Sequence, residues 1–311
     1  MISKIKVEGR ESFLKIRQES IGGSDAASVL GLNQYNSAYA LWCEKTGLIV
    51  PEDISDKESV RLGIDLENYV AERFAEATGL KVKRTSYTYK NSEYPFAHAN
   101  PDRLVVGCDA GLEIKTTSSW EVAQKLKNGE IPENWYCQMV HYMMVTGAKK
   151  WYLAALVFGV GFFHFTVERD EAEIAALARA ERDFWKKVCD NTPPPLDGSE
   201  ATAEAIKTIY KDSTPGTSVD LTTVGQHISL YNQVSKQIKE LETIKAEQEN
   251  IIKNYMGQAE KGTYGETSIS WKKSSRSSFD RSAYEADNGK IPENYFKTSE
   301  VRTFRVSVKK G

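Results

Sequence analysis

The 311-residue chain contains no run of 18 or more apolar residues, and its N-terminus, MISKIKVEGRESF, has no apolar core of the kind a secretion signal needs. The expectation is a soluble protein with no membrane partner, kept in the compartment where it is made. Cysteine is scarce: Cys43, Cys108, Cys137 and Cys189 lie far apart and form no CxxC pair. That spacing argues against a disulfide framework and against a zinc or iron–sulfur cluster, so a reduced cytosol is the expected home. A dominant charge sign is missing as well. The formal net charge is −2, which gives no overall field to attract a polyanion. The distribution is uneven, because Trp271 to Gly311 carries ten Lys/Arg against five Asp/Glu. Any nucleic-acid partner must therefore be met by local patches.

What is present is a globular composition. Hydrophobic residues make up 40%, charged residues 27% and aromatics 10%, enough apolar surface to offset chain entropy in about two domains. IRQESIGGSDAASVLGLNQY predicts a glycine turn, then Ser24 as the N-cap of a short helix closed by Gly31. SVRLGIDLENYVAERFAEATGL predicts an amphipathic helix with Leu62, Leu66, Val70, Phe74 and Ala77 on one stripe and Gly79 as its stop. KVKRTSYTYKN and YPFAHANPD predict strands, PENWYCQMVHYMMVTG a helix between Pro132 and Gly147, and KWYLAALVFGVGFFHFTVE two buried strands around Gly159 and Gly161. DEAEIAALARAERDFWKKV predicts a surface helix. Helices interleaved with strands predict an α/β or α+β sheet covered on its faces.

The proline-rich CDNTPPPLDGSEA predicts the end of a domain spanning 1–200, followed by a linker over 201–222 and an extension over 223–311. In the extension, Leu230, Val234, Ile238, Leu241, Ile244, Gln248, Ile252 and Tyr255 recur at helical spacing and predict one long helix. A small β part follows, with GETSISWKKSSRSSF and VRTFRVSVKK alternating like two strands. NGEIPENWY and NGKIPENYF, which begin at Asn128 and Asn288, form a near-repeat that local turn chemistry explains.

PDRLVVGCDAGLEIKTT, from Pro101 to Thr117, carries the chemistry. A strand alternates its faces, so Glu113 and Lys115 point one way, roughly 6.8 Å apart along the strand, while Leu112 and Ile114 point into the core. The turn GCDAG can bring Asp102 beside Glu113. Two carboxylates at one point repel unless a cation joins them, and Mg²⁺ or Mn²⁺ suits oxygen donors. A lysine beside such a cation can orient a water for in-line attack on a phosphodiester. The competing reading is an exposed strand with an ordinary Glu/Lys pair and Asp102 as a turn residue. A PD eleven residues before ExK, with a turn between, favours the cation.

NPDRL and LEIK together resemble the core motif of the PD-(D/E)xK nucleases, more closely their λ-type alkaline exonucleases and YqaJ-type phage recombination nucleases. The resemblance covers about residues 10 to 190. It implies an α/β PD-(D/E)xK core, a central mixed β-sheet flanked by helices, in which Asp102 and Glu113 hold Mg²⁺ (or Mn²⁺), with the backbone carbonyl of Ile114 a further ligand and Lys115 positioning the water. GIDLENYVAERF is similar to the helix that carries a metal-binding glutamate, which falls on Glu67. QMVHY resembles the QxxxY helix of RecB-like nucleases and implies catalytic roles for Gln138 and Tyr142, which as i and i+4 share a helical face. RQESIGGSDAASVLG is similar to the segment that holds the 5′ phosphate of a DNA end, which falls on Arg17 and Ser24. Alone, each of these residues also has a plainer reading, as a surface glutamate, helix-packing residues or an ordinary N-cap. His98 and His141 read as structural, with His98 near enough to the site to stay a minor candidate.

The resemblance implies a 5′-to-3′ exonuclease acting on duplex DNA ends in a bacterial host cytosol. It would leave 3′ single-stranded tails for a RecT/Redβ-like annealing protein, and it implies a homo-oligomer, a ring-shaped trimer, without the iron–sulfur cluster of some RecB-like members. Only Glu93 lies near the place of a further acid that some λ-type members carry, so one or two metal ions remain open. An endonuclease of restriction or repair type, or an inert DNA-binding module, would share the same core.

Overall fold

The computed structural model describes residues 1–298 and 302–307. A first strand, β1 (Ile2–Lys6), leads into four helices, α1 (Gly9–Gln18), α2 (Gly23–Val29), α3 (Ala38–Lys45) and α4 (Glu58–Thr78). Five strands follow: β2 (Val82–Lys83), β3 (Tyr87–Asn91), β4 (Tyr94–Ala99), β5 (Arg103–Val105) and β6 (Ala110–Thr117). Helices α5 (Trp120–Lys127) and α6 (Glu133–Thr146) then cross over to β7 (Lys150–Val157), which turns back into β8 (Gly161–Glu168) and is followed by α7 (Glu171–Cys189) and α8 (Glu200–Ile209).

Local chemistry sets the ends of these elements. Gly79 and Gly147 take left-handed conformations, at φ +73° and +70°, and cap α4 and α6, positions where a side chain would be strained. The carboxylate of Asp170 accepts the N–H groups of Ala172 and Glu173 and so starts α7. Each helix then buries what its spacing dictates. On α4 the buried face is Val70, Ala71 and Phe74; Leu62 and Ala77, expected on the same stripe, are exposed. α6 is buried continuously from Cys137 to Val145, so any polar group in that run must find a partner inside the protein.

The central sheet is mixed, in the order β2–β5–β6–β7–β8, with β6 and β7 parallel and the other pairs antiparallel. Leu112, Ile114 and Ala154 on one face meet the buried residues of α4. The larger core lies on the other side, where Met139, Met143 and Met144 of α6 pack among Trp151 and Leu153 of β7, Phe96 and Ala97 of β4, and Ile174 and Leu177 of α7. Fully burying each such side chain contributes about 1.5–3 kcal/mol. A second, antiparallel sheet, β1–β3–β4, contacts α6 from beyond. The expected α/β architecture, a mixed sheet flanked by helices, is what forms. β8, however, is the edge of the sheet and only its Val167 is buried, where two buried strands were expected.

The chain divides into two units, Met1–Lys211 and Asp212–Gly311. The first part of the expected linker is therefore structured: α8 packs on α3, with Thr202 donating a buried hydrogen bond to Ser37 at 2.8 Å. In the second unit, α9 (Gly225–Met256) is the expected long helix, and a hairpin of β9 (Lys261–Tyr264) and β10 (Thr267–Ser270) precedes α10 (Arg281–Asn288). The strand in GETSIS pairs with the segment just before it. Residues 302–307 of VRTFRVSVKK form no strand, and its remaining residues lie outside the described ones. Among the described residues no helix is long and apolar enough to cross a membrane.

Candidate active site

β5 and β6 pair with Arg103 opposite Leu112 and Leu104 opposite Gly111, a register that carries Asp102 to the position facing Glu113. There Asp102 Oδ2 accepts the Ile114 N–H at 2.8 Å, replacing a ladder bond with a carboxylate. Alternation along β6 sends Glu113 and Lys115 to the face away from α4. Glu113 is only 2% exposed, which removes the reading of an ordinary surface pair. Lys115 Nζ lies 2.6 Å from Glu113 Oε1 and donates to Gln138 Oε1 at 2.9 Å. The amide of Gln138 donates in turn to the Tyr142 hydroxyl, also at 2.9 Å. Strand β6 and the buried face of α6 are thus linked by one chain of side chains.

The electrostatics point at something positive. Burial, and then the neighbouring Glu113 carboxylate, push the Asp102 carboxyl well above its ordinary range. Burial and the same two carboxylates push the Tyr142 phenol up as well. Glu113 Oε2 is buried with no hydrogen-bond partner, an arrangement that costs free energy unless it is compensated. A partnerless carboxylate oxygen beside a second, half-buried carboxyl is a donor set that suits a hard divalent cation, so the residues fit the expected metal.

Glu67 stands apart from that pair. Its carboxylate is engaged by Arg103 and by Arg84, the latter at 3.0 Å. Among the described residues, no group of three or more His, Cys, Asp and Glu converges that could hold a metal ion. Arg103 is buried, and it also donates to Asn68 Oδ1 and to the Asp102 carbonyl. It ties α4 to the strand at the point where Asp102 sits. Sequence reasoning passed over it, though its place directly after the PD pair was a signal.

Around α2 the arrangement differs from expectation. Gly22, not Ser24, is the N-cap, and its N–H is taken by the Asp25 carboxylate at 3.1 Å. Ser24 is exposed in the first turn. Asp25 is itself buried, paired with Lys45 at 2.7 Å and with Arg17 at 3.6 Å. Burial alone would raise this carboxyl, yet the two cations hold it below its ordinary range. α2 lies directly on α6: a Cβ at Gly23 would stand 2.5 Å from Tyr142 Cε1 and 3.1 Å from Gln138 Cγ. The structure therefore brings the backbone next to Ser24 against Gln138 and Tyr142. The ring of His98 turns to Ser20 and that of His141 to Glu181, as structural histidines would. Glu181 was missed, although it falls in register with the buried Ile174, Leu177, Ala178 and Phe184 of α7, where a carboxylate is out of place.

The YqaJ-like viral recombinase domain model matches residues 12–149, a span from α1 to the end of α6 that contains every site residue expected from the sequence. The alkaline exonuclease LHK-Exo of Laribacter hongkongensis is similar at 20% identity with a TM-score of 0.48, over 58% of this chain and 94% of that one. The LHK-Exo complex with dAMP is similar at 21% identity with a TM-score of 0.50, over the same shares. At that identity the likeness speaks to the fold. A closer relation in sequence is the "Uncharacterized protein YqaJ" of Bacillus subtilis (strain 168), 38% identical over 276 residues that cover 88% of this chain and 86% of the relative. The first unit makes up only 211 of the 311 residues, so the alignment runs into the second as well. At that identity and coverage, and with the domain model resting on the site itself, the chain belongs to the YqaJ-like viral recombinase domain family.

Proposed function

We propose that the chain is a phage-type, Mg²⁺-dependent exonuclease that resects duplex DNA from the 5′ end and leaves a 3′ single-stranded tail for an annealing protein. The observation that carries this is the pair formed by half-buried Asp102 and buried Glu113, with Glu113 Oε2 unpartnered and Lys115 2.6 Å from the other oxygen. Asp102, Glu113 and the Ile114 carbonyl would hold the cation, and Glu67 would join them by exchanging its arginines for it. When bound, the cation supplies positive charge against the scissile phosphate.

The side chains of this protein do the rest. Lys115, held by Gln138 and through it by Tyr142, presents its ammonium to a water and orients it toward phosphorus. The neutral amide and phenol keep that ammonium in place without adding charge. Arg17 offers a planar, two-pronged donor to a terminal phosphate, and Ser24 a hydroxyl. Their engagement of the 5′ end would set the direction of digestion. Lys45 neutralises the Asp25 carboxylate, leaving Arg17 charge for the phosphate.

The test uses long linear duplexes labelled at either terminus, with a 5′ phosphate or a 5′ hydroxyl, beside covalently closed circles. The expected result is release of 5′ label first, preference for the phosphorylated end, intact circles, and no release in EDTA. Cleavage of the circles, or release of 3′ label first, would refute the proposal.

A further inference from the structure

Away from the carboxylate pair, four polar side chains form a buried chain across the fold: Glu181 of α7, His141 of α6, His98 of β4, and Ser20 between α1 and α2 are each at most 2% exposed. Glu181 Oε1 lies 2.7 Å from His141 Nδ1. His141 Nε2 lies 2.8 Å from the His98 carbonyl, and since a carbonyl can only accept, that nitrogen carries a proton. Ser20 gives its single hydroxyl proton to the Ile16 carbonyl at 2.8 Å. His98 Nδ1, 2.9 Å from the same hydroxyl oxygen, must therefore be the donor there. The main chain adds Ile21 N–H to Phe96 O at 2.8 Å and His98 N–H to Ile21 O at 2.9 Å. The links from His141 through His98 to Ser20 thus each have one direction.

The two ends of this chain lead to different parts of the site. At the Ser20 end, Lys45 Nζ binds the carbonyls of Ser20 and Arg17 and the carboxylate of Asp25, and Asp25 in turn faces Arg17. At the other end, His141 sits on α6 beside Tyr142 and three residues after Gln138. The surrounding core is methionine, aliphatic and aromatic, and apolar side chains would stabilise it at least as well as buried polar ones. Glu181 Oε2 even lacks a partner. What directional bonds add, and sliding apolar contacts do not, is a fixed register between elements.

We propose that the chain Glu181–His141–His98–Ser20 is a positioning device that holds Arg17 and Ser24 at a set spacing from Gln138 and Lys115. It rests on the end-recognition role given to Arg17 and Ser24 above, and it makes the distance from terminal phosphate to scissile bond a property of the buried core.

Full-length Glu181→Gln and Ser20→Ala proteins, shown folded at the assay temperature by circular dichroism, are compared with wild type on 5′-phosphorylated and 5′-hydroxyl duplexes. Both variants should lose roughly fivefold or more in kcat on phosphorylated ends with KM nearly unchanged. The phosphate-to-hydroxyl rate ratio should fall by the same factor. If Glu181→Gln does not fold, Ser20→Ala decides alone. Folded variants that keep the wild-type ratio overturn the positioning role. Wild-type protein that digests both ends alike overturns the end-recognition reading itself, and that outcome is visible before any variant is made.

Discussion

Lys115 reaches from β6 to α6 and places its ammonium 2.9 Å from the amide oxygen of Gln138. An ammonium held between Glu113 and an amide is fixed in position. Replacing Lys115 with alanine should therefore leave DNA-end binding within about twofold and lower the digestion rate by about two orders of magnitude or more, the scale on which a positioned proton-handling or water-orienting group acts. Gln138→Ala should show the same pattern more weakly. Filter binding and release of acid-soluble nucleotide, measured on the same preparations, check both; a Lys115→Ala protein with normal turnover contradicts the role.

Gly23 lets α2 approach α6. A methyl group there would overlap the Tyr142 ring, whose Cε1 and Cζ would lie 2.5 and 2.9 Å from it. Gly23→Ala should cost about 1–3 kcal/mol through overpacking and reduce digestion beyond what the lost stability explains. Gly198, with nothing within 4 Å of an added Cβ, is the control, and Gly198→Ala should change neither urea midpoint nor rate.

His98 gives the fold an acid limit. Burial, and then the neighbouring His141, push its imidazole down to about 3 from an ordinary 6.5. Between those values the unfolded chain takes up a proton that the folded one refuses. Stability is therefore complete above pH 6.5 and is lost as the pH falls, by as much as about 1.4 kcal/mol per pH unit from this group. Urea unfolding between pH 4 and 7 should show that slope in wild type and a shallower one in His98→Asn. Equal slopes would contradict the assignment.

Asp102 predicts a linked dependence on cation. Its folded-state carboxyl is raised above the ordinary 3.8 by burial and by Glu113, so without metal the ionised form is penalised, and stability declines as pH rises from that value toward the raised one. At neutral pH, Mg²⁺ should reverse the loss, raising unfolding free energy by about 2.7 kcal/mol at a hundredfold excess over Kd. Asp102→Asn should be more stable than wild type without metal and gain little from adding it. Calorimetry with and without EDTA reads both effects, and an equal Mg²⁺ response in the two proteins would contradict the site.

Much of this arrangement was legible in the order of residues, and what was not has identifiable causes. Strand alternation placed Glu113 and Lys115 together, and the PD spacing placed Asp102 opposite, because both follow from backbone geometry alone. The one-turn spacing of Gln138 and Tyr142 was equally local. Ser24 failed as a cap because Asp25, one residue on, supplies a carboxylate to Gly22, a competition that spacing does not resolve. Glu67 was read toward the metal, while its engagement by Arg84 and Arg103 depends on how α4 crosses β5. The pairing of β10 with β9 is a choice of partner that alternation does not make. Glu181 was readable as a carboxylate on an apolar stripe, but its partner His141 is 40 positions away.

The most direct measurement is anomalous diffraction from crystals soaked in Mn²⁺. The expected result is a peak bonded to the carboxylates of Asp102 and Glu113 and to the Ile114 carbonyl, at distances normal for a hard cation, and its disappearance in Asp102→Asn. Crystals with full Mn²⁺ exposure but no peak between those carboxylates, or a peak that persists in the variant, would contradict it.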